Sequence, residues 1–122
     1  MILVDTSVWI DHLHHSEPAL VRALDADEVA VHPFVIAEVA LGSIAHRETV
    51  LHLLTHLRMT PTLTHQELLT LVQEAKLWGR GLSLVDVHLL GSVKLMSDGQ
   101  LWTRDKHLQA GAQTVSVSLF PY

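Results

Sequence analysis

Four acidic side chains stand where the surrounding sequence is apolar. Asp5 closes the run Met1–Val4, Glu38 lies inside "FVIAEVAL", Asp86 inside "SLVDVHLL", and Asp105 two residues beyond "LWT". A carboxylate in apolar surroundings is costly unless it is paired, hydrogen-bonded or bound to a cation. One shared cation would account for all four. Oxygen ligands, with no cysteine in the chain and no obvious histidine set, specify a hard ion, Mg²⁺ or Mn²⁺ rather than zinc. A site of that kind suits phosphodiester hydrolysis, in which metal activates water and stabilises charge on the phosphate.

Each acid also has an ordinary reading. "SxxD" before an apolar run is a capping pattern, so Asp86 fits a helix start. Asp105 fits the cap of a short helix after it. Glu38 has no capping role in mid-helix. Asp5 has none either, because Ser7 is the better N-cap for the helix that follows. Asp25, Asp27, Glu28, Glu48, Glu67, Glu74 and Asp98 fall in turns or on polar helix faces and read as solvated surface. The histidines of "HLHH" (His12, His14, His15) and the His52/His56 pair read as exposed polar faces, since no carboxylate or cysteine set surrounds them. His88 and His107 lie near the acids in sequence and could act from behind them.

Periodicity supplies the elements that must position these residues. "MILVD" and "EVAVHP" read as strands, as do "QLWT" and "TVSVSL" near the end. Between them, "SVWIDHLHH" and "SEPALVRALDAD" read as helices, the second with Ser16 as N-cap and Pro18 in its first turn. Pro33 opens a helix over "FVIAEVALGSIA", and "ETVLHLLTHLRM" forms another. "THQE" has capping-box form and starts a helix running to about Gly79; "GRG" breaks the chain; "SLVD" starts the next helix, which "SDG" ends. A short helix around "KHLQA" separates the last two strands. Strands alternating with helices predict an α/β fold, a parallel sheet covered by helices on both faces. Asp5 and Asp105 then lie at carboxyl ends of strands, the edge where open parallel sheets bind ligands.

Composition sets the outer bounds. With 122 residues, 48% of them hydrophobic, the chain predicts a single domain over 1–122. The absence of cysteine is compatible with a reducing compartment, and the start lacks a signal peptide's features, so a cytoplasmic protein is expected. No apolar run approaches the roughly 20 residues of a membrane span, so no membrane partner is expected. Thirteen acidic against eight basic residues leave a net charge of -5, which argues against a general nucleic-acid coat but not against a metal-using enzyme. Aromatic residues make up only 5%, too few for a base-stacking platform, and Trp9, Trp78 and Trp102 read as core or interface.

In order, "LVDTSVWID", a glutamate in the helix after the second strand, "LSLVDVHLL" and "LWTRDKHL" resemble the PIN-domain family. More narrowly, they resemble the VapC-type ribonuclease toxins of toxin–antitoxin pairs, and the resemblance covers essentially the whole chain. It implies a PIN-like three-layer sandwich and a Mg²⁺- or Mn²⁺-dependent endoribonuclease. It places the family's four acidic positions on Asp5, Glu38, Asp86 and Asp105, and the supporting hydroxyls on Ser7 and Thr103. It also implies an RNA substrate, a small antitoxin and a homodimer. Relatives commonly carry small residues where this chain has His88 and Leu89, which could alter the groove or the dimer face.

Arg80, Arg104 and Lys106 adjoin Asp86 or Asp105 in sequence and are candidates for RNA phosphate contacts, although solvated side chains are the ordinary reading. Two other acidic-pocket classes fail at required residues. A receiver domain would need an acidic pair after strand one, and a haloacid-dehalogenase-type phosphatase would need Asp-x-Asp, whereas this chain has Asp5-Thr6-Ser7. The remaining alternative is a catalytically inactive PIN-like domain that only binds RNA or protein.

Overall fold

Hydrophobic strand segments too short to alternate must be buried on both faces, and the sheet does this. The computed structural model describes residues 1–122. It contains five parallel strands, β1 (Ile2–Val4), β2 (Val29–Val31), β3 (Arg58–Met59), β4 (Gln100–Trp102) and β5 (Ser118–Leu119), in the spatial order β3-β2-β1-β4-β5. β1 is central, with Leu3 opposite Ala30 on one side and Leu101 on the other. Every residue of β1 and β2 is buried, as a doubly covered parallel sheet requires.

The seven helices are α1 (Thr6–His14), α2 (Pro18–Asp25), α3 (Pro33–Leu41), α4 (Arg47–Thr55), α5 (His65–Ala75), α6 (Leu84–Leu95) and α7 (Lys106–Thr114). From β1 the chain steps to β2 and β3 in one direction, then returns past β1 to β4 and β5 in the other. Right-handed crossovers therefore put α1–α4 on one face and α5–α7 on the opposite face. The contacts agree, since α1 packs on α3, α3 on α4, α5 on α6, and α6 on α7. The result is the expected three-layer α/β sandwich. Its core joins both faces through residues such as Leu3, Val8, Leu20, Leu89, Leu90, Trp102 and Leu108.

Several local expectations are corrected. Helix α1 starts at Thr6, with Asp5 rather than Ser7 as its N-cap. The N-cap of α2 is Glu17, without a side-chain cap bond, rather than Ser16; Pro18 is in the first turn as expected. Helix α3 stops at Leu41, and α5 at Ala75, where Lys76 turns left-handed with φ 54°. The helix expected to run through Met59 ends at Thr55, and Arg58–Met59 becomes an edge strand on β2. Backbone pairing of Arg58 and Met59 with Ala30 and Val31 takes the end of that segment into the sheet. Both β3 residues are exposed, so the strand has no hydrophobic pattern to show. No helix is long and apolar enough to cross a membrane.

Candidate active site

The chain's direction of travel across the sheet reverses between β1 and β4, which opens a crevice at their carboxyl ends. Asp5 leaves β1 there, its N–H donating to the Trp102 carbonyl of β4 at 2.9 Å. The Asp5 carboxylate is fixed from two sides. Oδ1 accepts from the Thr6 N–H at 2.8 Å, which caps α1, and Oδ2 accepts from the Thr103 hydroxyl at 2.7 Å. Asp5 is only 8% exposed. Burial pushes its pKa up from 3.8; the bonds from Thr103 and Thr6 pull it down, and the charges of Asp86 and Glu38 push it up further.

The other three acids reach the same cleft from different helices. Asp86 sits in the first turn of α6, where Oδ2 accepts from the Ser83 N–H at 2.9 Å while Ser83 Oγ accepts from the Asp86 N–H, a complete capping box. Asp105 is the N-cap of α7, with Oδ1 accepting from the N–H groups of His107 and Leu108 at 2.8 and 3.2 Å. Glu38, in the middle of α3, accepts the Thr6 hydroxyl proton through Oε1 at 2.5 Å. Asp5, Thr6, Ser7, Glu38, Asp86, Arg104 and Asp105 together line an open cavity of about 400 Å³ with no hydrophobic residue in its wall.

Four carboxylates converge on one cavity, but they do not form a ready-made cage: no three acidic or histidine side chains are close enough together to hold an ion directly. The donor chemistry nevertheless fits a hard cation. Every potential ligand is oxygen, and Glu38 Oε2, Asp86 Oδ1 and Asp105 Oδ2 make no hydrogen bond within the chain. Mg²⁺ binds through one or two carboxylates and keeps several waters, so a wide oxygen-lined cleft suits it better than a tight cage would.

Of the supporting residues, Ser7 lines the cavity and Thr103 lies buried behind it. The Thr103 hydroxyl donates to Asp5 and accepts from the Asp105 N–H at 3.1 Å, which ties two of the acids to one side chain. Thr6 lies outside the supporting residues that the resemblance implies, and its only sequence signal is a hydroxyl beside Asp5. Among the basic candidates, only Arg104 lines the cavity. Its guanidinium is paired with Asp11 and Glu17, and the hydrogen bonds to Glu17 and then Asp11 raise its pKa further above the ordinary arginine value. Arg80 is bound instead to the Lys76 carbonyl and Thr114, and Lys106 is not part of the wall.

The histidine expectations separate in the same way. His107 Nδ1 lies 3.7 Å from Asp105 Oδ1, beside the site. His88 and Leu89 are both buried within the chain. His88 packs between α3 and α6 against Phe34 and His32, with ring centroids 4.8 and 6.0 Å away. His32 caps α3, Nδ1 accepting from the Phe34 N–H at 2.9 Å. Burial, then the nearby His88, lowers the His32 pKa to about 4, so it is neutral at pH 7. Trp9 and Trp102 are core, whereas Trp78 is 57% exposed.

Comparison with known proteins agrees with this architecture. The PIN domain family model matches residues 2–113. The chain belongs to the PIN domain family. It is also 54% identical over 119 residues to the protein named Ribonuclease VapC32 from Mycobacterium tuberculosis, in strains CDC 1551 / Oshkosh and ATCC 25618 / H37Rv. That match covers 98% of this chain and 96% of each relative. This PIN domain therefore aligns with a ribonuclease across nearly its whole length.

Proposed function

We propose that this PIN domain is a Mg²⁺- or Mn²⁺-dependent endoribonuclease and the toxin of a VapBC-type toxin–antitoxin pair. The observation that carries the reading is the convergence of Asp5, Glu38, Asp86 and Asp105 on one wholly polar cleft, in a chain 54% identical to a named ribonuclease. In that reading the four carboxylates hold the cation directly or through water. When bound, a hard cation supplies acidified water and charge neutralisation at the scissile phosphate.

The chain's own residues do the rest. Thr103 fixes Asp5 and, through the Asp105 N–H, the start of α7, so two carboxylates keep a set spacing. Thr6 orients Glu38 through Oε1 and leaves Oε2 without an intrachain bond. Ser83 holds Asp86 by one oxygen only. These bonds thus preorganise each acid while a lone pair stays available. The absence of apolar wall and of aromatic platforms supports recognition through the RNA backbone rather than through stacked bases.

A small antitoxin protein, a homodimer and a cytoplasmic location belong to the same proposal. The test is an RNA cleavage assay on purified protein: EDTA should abolish cutting, and Mg²⁺ or Mn²⁺ should restore it. Cleavage that survives exhaustive chelation would remove the metal from the mechanism. Growth arrest on expression, relieved by the cognate antitoxin, would test the toxin assignment separately.

A further inference from the structure

The wall of the cleft contains one cation, and that cation is already occupied. Arg104 follows β4 and reaches back to the α1–α2 junction, where Nη1 pairs with Asp11 Oδ2 at 2.5 Å and Nη2 with Glu17 Oε2 at 2.6 Å. The two terminal nitrogens are the pair that would grip a phosphate bidentately. Here each already donates to a carboxylate. Three donors remain: Nε–H and one N–H on each terminal nitrogen. The Arg104 side chain is still 38% exposed, so a ligand can reach it.

Charge sets the direction of the effect. One guanidinium (+1) between two carboxylates (−2) leaves the trio at −1. A phosphodiester approaching Arg104 therefore meets a net negative group beside four further acids. Partly exposed ion pairs contribute little to stability, so the fold does not depend strongly on keeping this one closed. Neither Asp11 nor Glu17 lines the cleft, and neither is needed for the metal chemistry described above.

We infer that Arg104 is a phosphate-binding residue for the RNA backbone and that Asp11 and Glu17 form a clasp restraining it, so that the substrate phosphate competes with the two carboxylates for the guanidinium. The inference rests on the ribonuclease reading for the identity of its ligand. It gives the Asp11–Arg104–Glu17 cluster a role in affinity: the clasp suppresses RNA binding in the free protein.

The test compares wild type with Asp11→Asn/Glu17→Gln and with the same pair in an Arg104→Gln background. The probe is a random-sequence single-stranded RNA oligonucleotide. Binding is read by fluorescence anisotropy across a KCl series with Ca²⁺, and cleavage kinetics are read with Mg²⁺. At about 7 Å in water, removing each negative charge is worth roughly twofold in affinity after salt screening, so the double variant should bind about fourfold tighter. The gain should appear in KM rather than kcat. Freeing one cation to contact a phosphate should also steepen the plot of log affinity against log salt by about 0.7. In the Arg104→Gln background the steepening should vanish and most of the tightening with it.

Unchanged or weaker RNA binding by a folded double variant would overturn the clasp, as would a gain that persists in full without Arg104. Should the double variant fail to fold, Asp11→Asn alone carries the same prediction at about twofold. Wild type that binds the probe but never cuts it would sink the ribonuclease reading and leave the clasp standing on the anisotropy arm.

Discussion

Replacing Asp5 with Asn separates stability from function at this site. Asparagine keeps the shape, and its amide oxygen can still cap α1 by accepting from the Thr6 N–H, now 2.8 Å from Asp5 Oδ1. Its amide nitrogen then faces the Thr103 hydroxyl, which donates to Asp5 Oδ2 in the wild type. That hydroxyl accepts from the Asp105 N–H and has a second lone pair, so it can accept from the amide by rotating. Exchanging bonds to a charged acceptor for neutral ones loses on the order of 1–2 kcal/mol. Against that stands relief from desolvation and from repulsion by Asp86 and Glu38.

The direction of the Asp5 pKa gives the sign. It is raised, so burial and repulsion outweigh the two hydrogen bonds, and the folded apo protein is less stable for carrying the charge. Asp5→Asn should therefore leave apo stability unchanged or raise it by about 1 kcal/mol, which is about 4 °C in Tm for a domain of this size. The pH dependence follows the same logic. The native state holds the Asp5 proton more tightly than the unfolded chain, so the wild-type contribution is present below the unfolded value of 3.8 and is lost as pH rises through the folded value. The variant should lack that decline. Mg²⁺ at roughly 100 times its dissociation constant should stabilise wild type by about 2.7 kcal/mol, or about 10 °C, and the variant much less. The assay is thermal melting in EDTA and in Mg²⁺, beside RNA cleavage, which the substitution should abolish. Normal cleavage by Asp5→Asn, or a Tm in EDTA well below wild type, would refute the reasoning and make Asp5 a structural acid.

Thr103→Val removes the strongest influence holding the Asp5 carboxylate down while keeping the side chain's shape. It should lower stability by about 1–3 kcal/mol and move the acid limb of the cleavage profile to higher pH, read from rates across a pH series. Thr64→Ala deletes the cap of α5, a capping box with Glu67 that lies outside the cleft wall; melting should show a loss of about 1 kcal/mol, and cleavage per folded molecule should hold.

What the sequence disclosed depended on whether the deciding interaction was local. The capping boxes at Thr64–Glu67 and Ser83–Asp86 span four residues each, and both form as their spelling predicts. The buried strands announce themselves by continuous apolar runs, and their alternation with helices was enough for the layer architecture. The four acids were visible because each stands in an apolar context. By contrast, β3 exists only through its pairing with β2, and nothing in "RM" itself calls for a strand. Thr6 matters through Glu38, 32 residues away, and Arg104 through Asp11 and Glu17, 93 and 87 residues away. Contacts at such separations leave no periodic trace in a single sequence. Arg80, Arg104 and Lys106 are all near Asp86 or Asp105 in sequence, but only Arg104 shares the cavity with them.

The capping and ligand readings of these acids are compatible, because the caps leave carboxylate oxygens without an intrachain bond. Asp5 caps α1, Asp86 lies in the first turn of α6, and Asp105 caps α7. Three helix N-termini therefore point at one cleft, each presenting N–H groups and the positive end of its dipole to a carboxylate. That is how an apo chain can gather four acids at one sheet edge without folding against their mutual repulsion. A cap engages few of the lone pairs on two oxygens, so the stabilising bond and an available ligand site coexist on one side chain. Glu38 is the exception, a mid-helix acid with no N-terminus to lean on, and its carboxylate accepts from no backbone N–H, only from a side-chain hydroxyl, that of Thr6 in the first turn of α1. The sheet reversal between β1 and β4 brings the capped acids together, and the one acid without a cap is held by the helix that Asp5 starts.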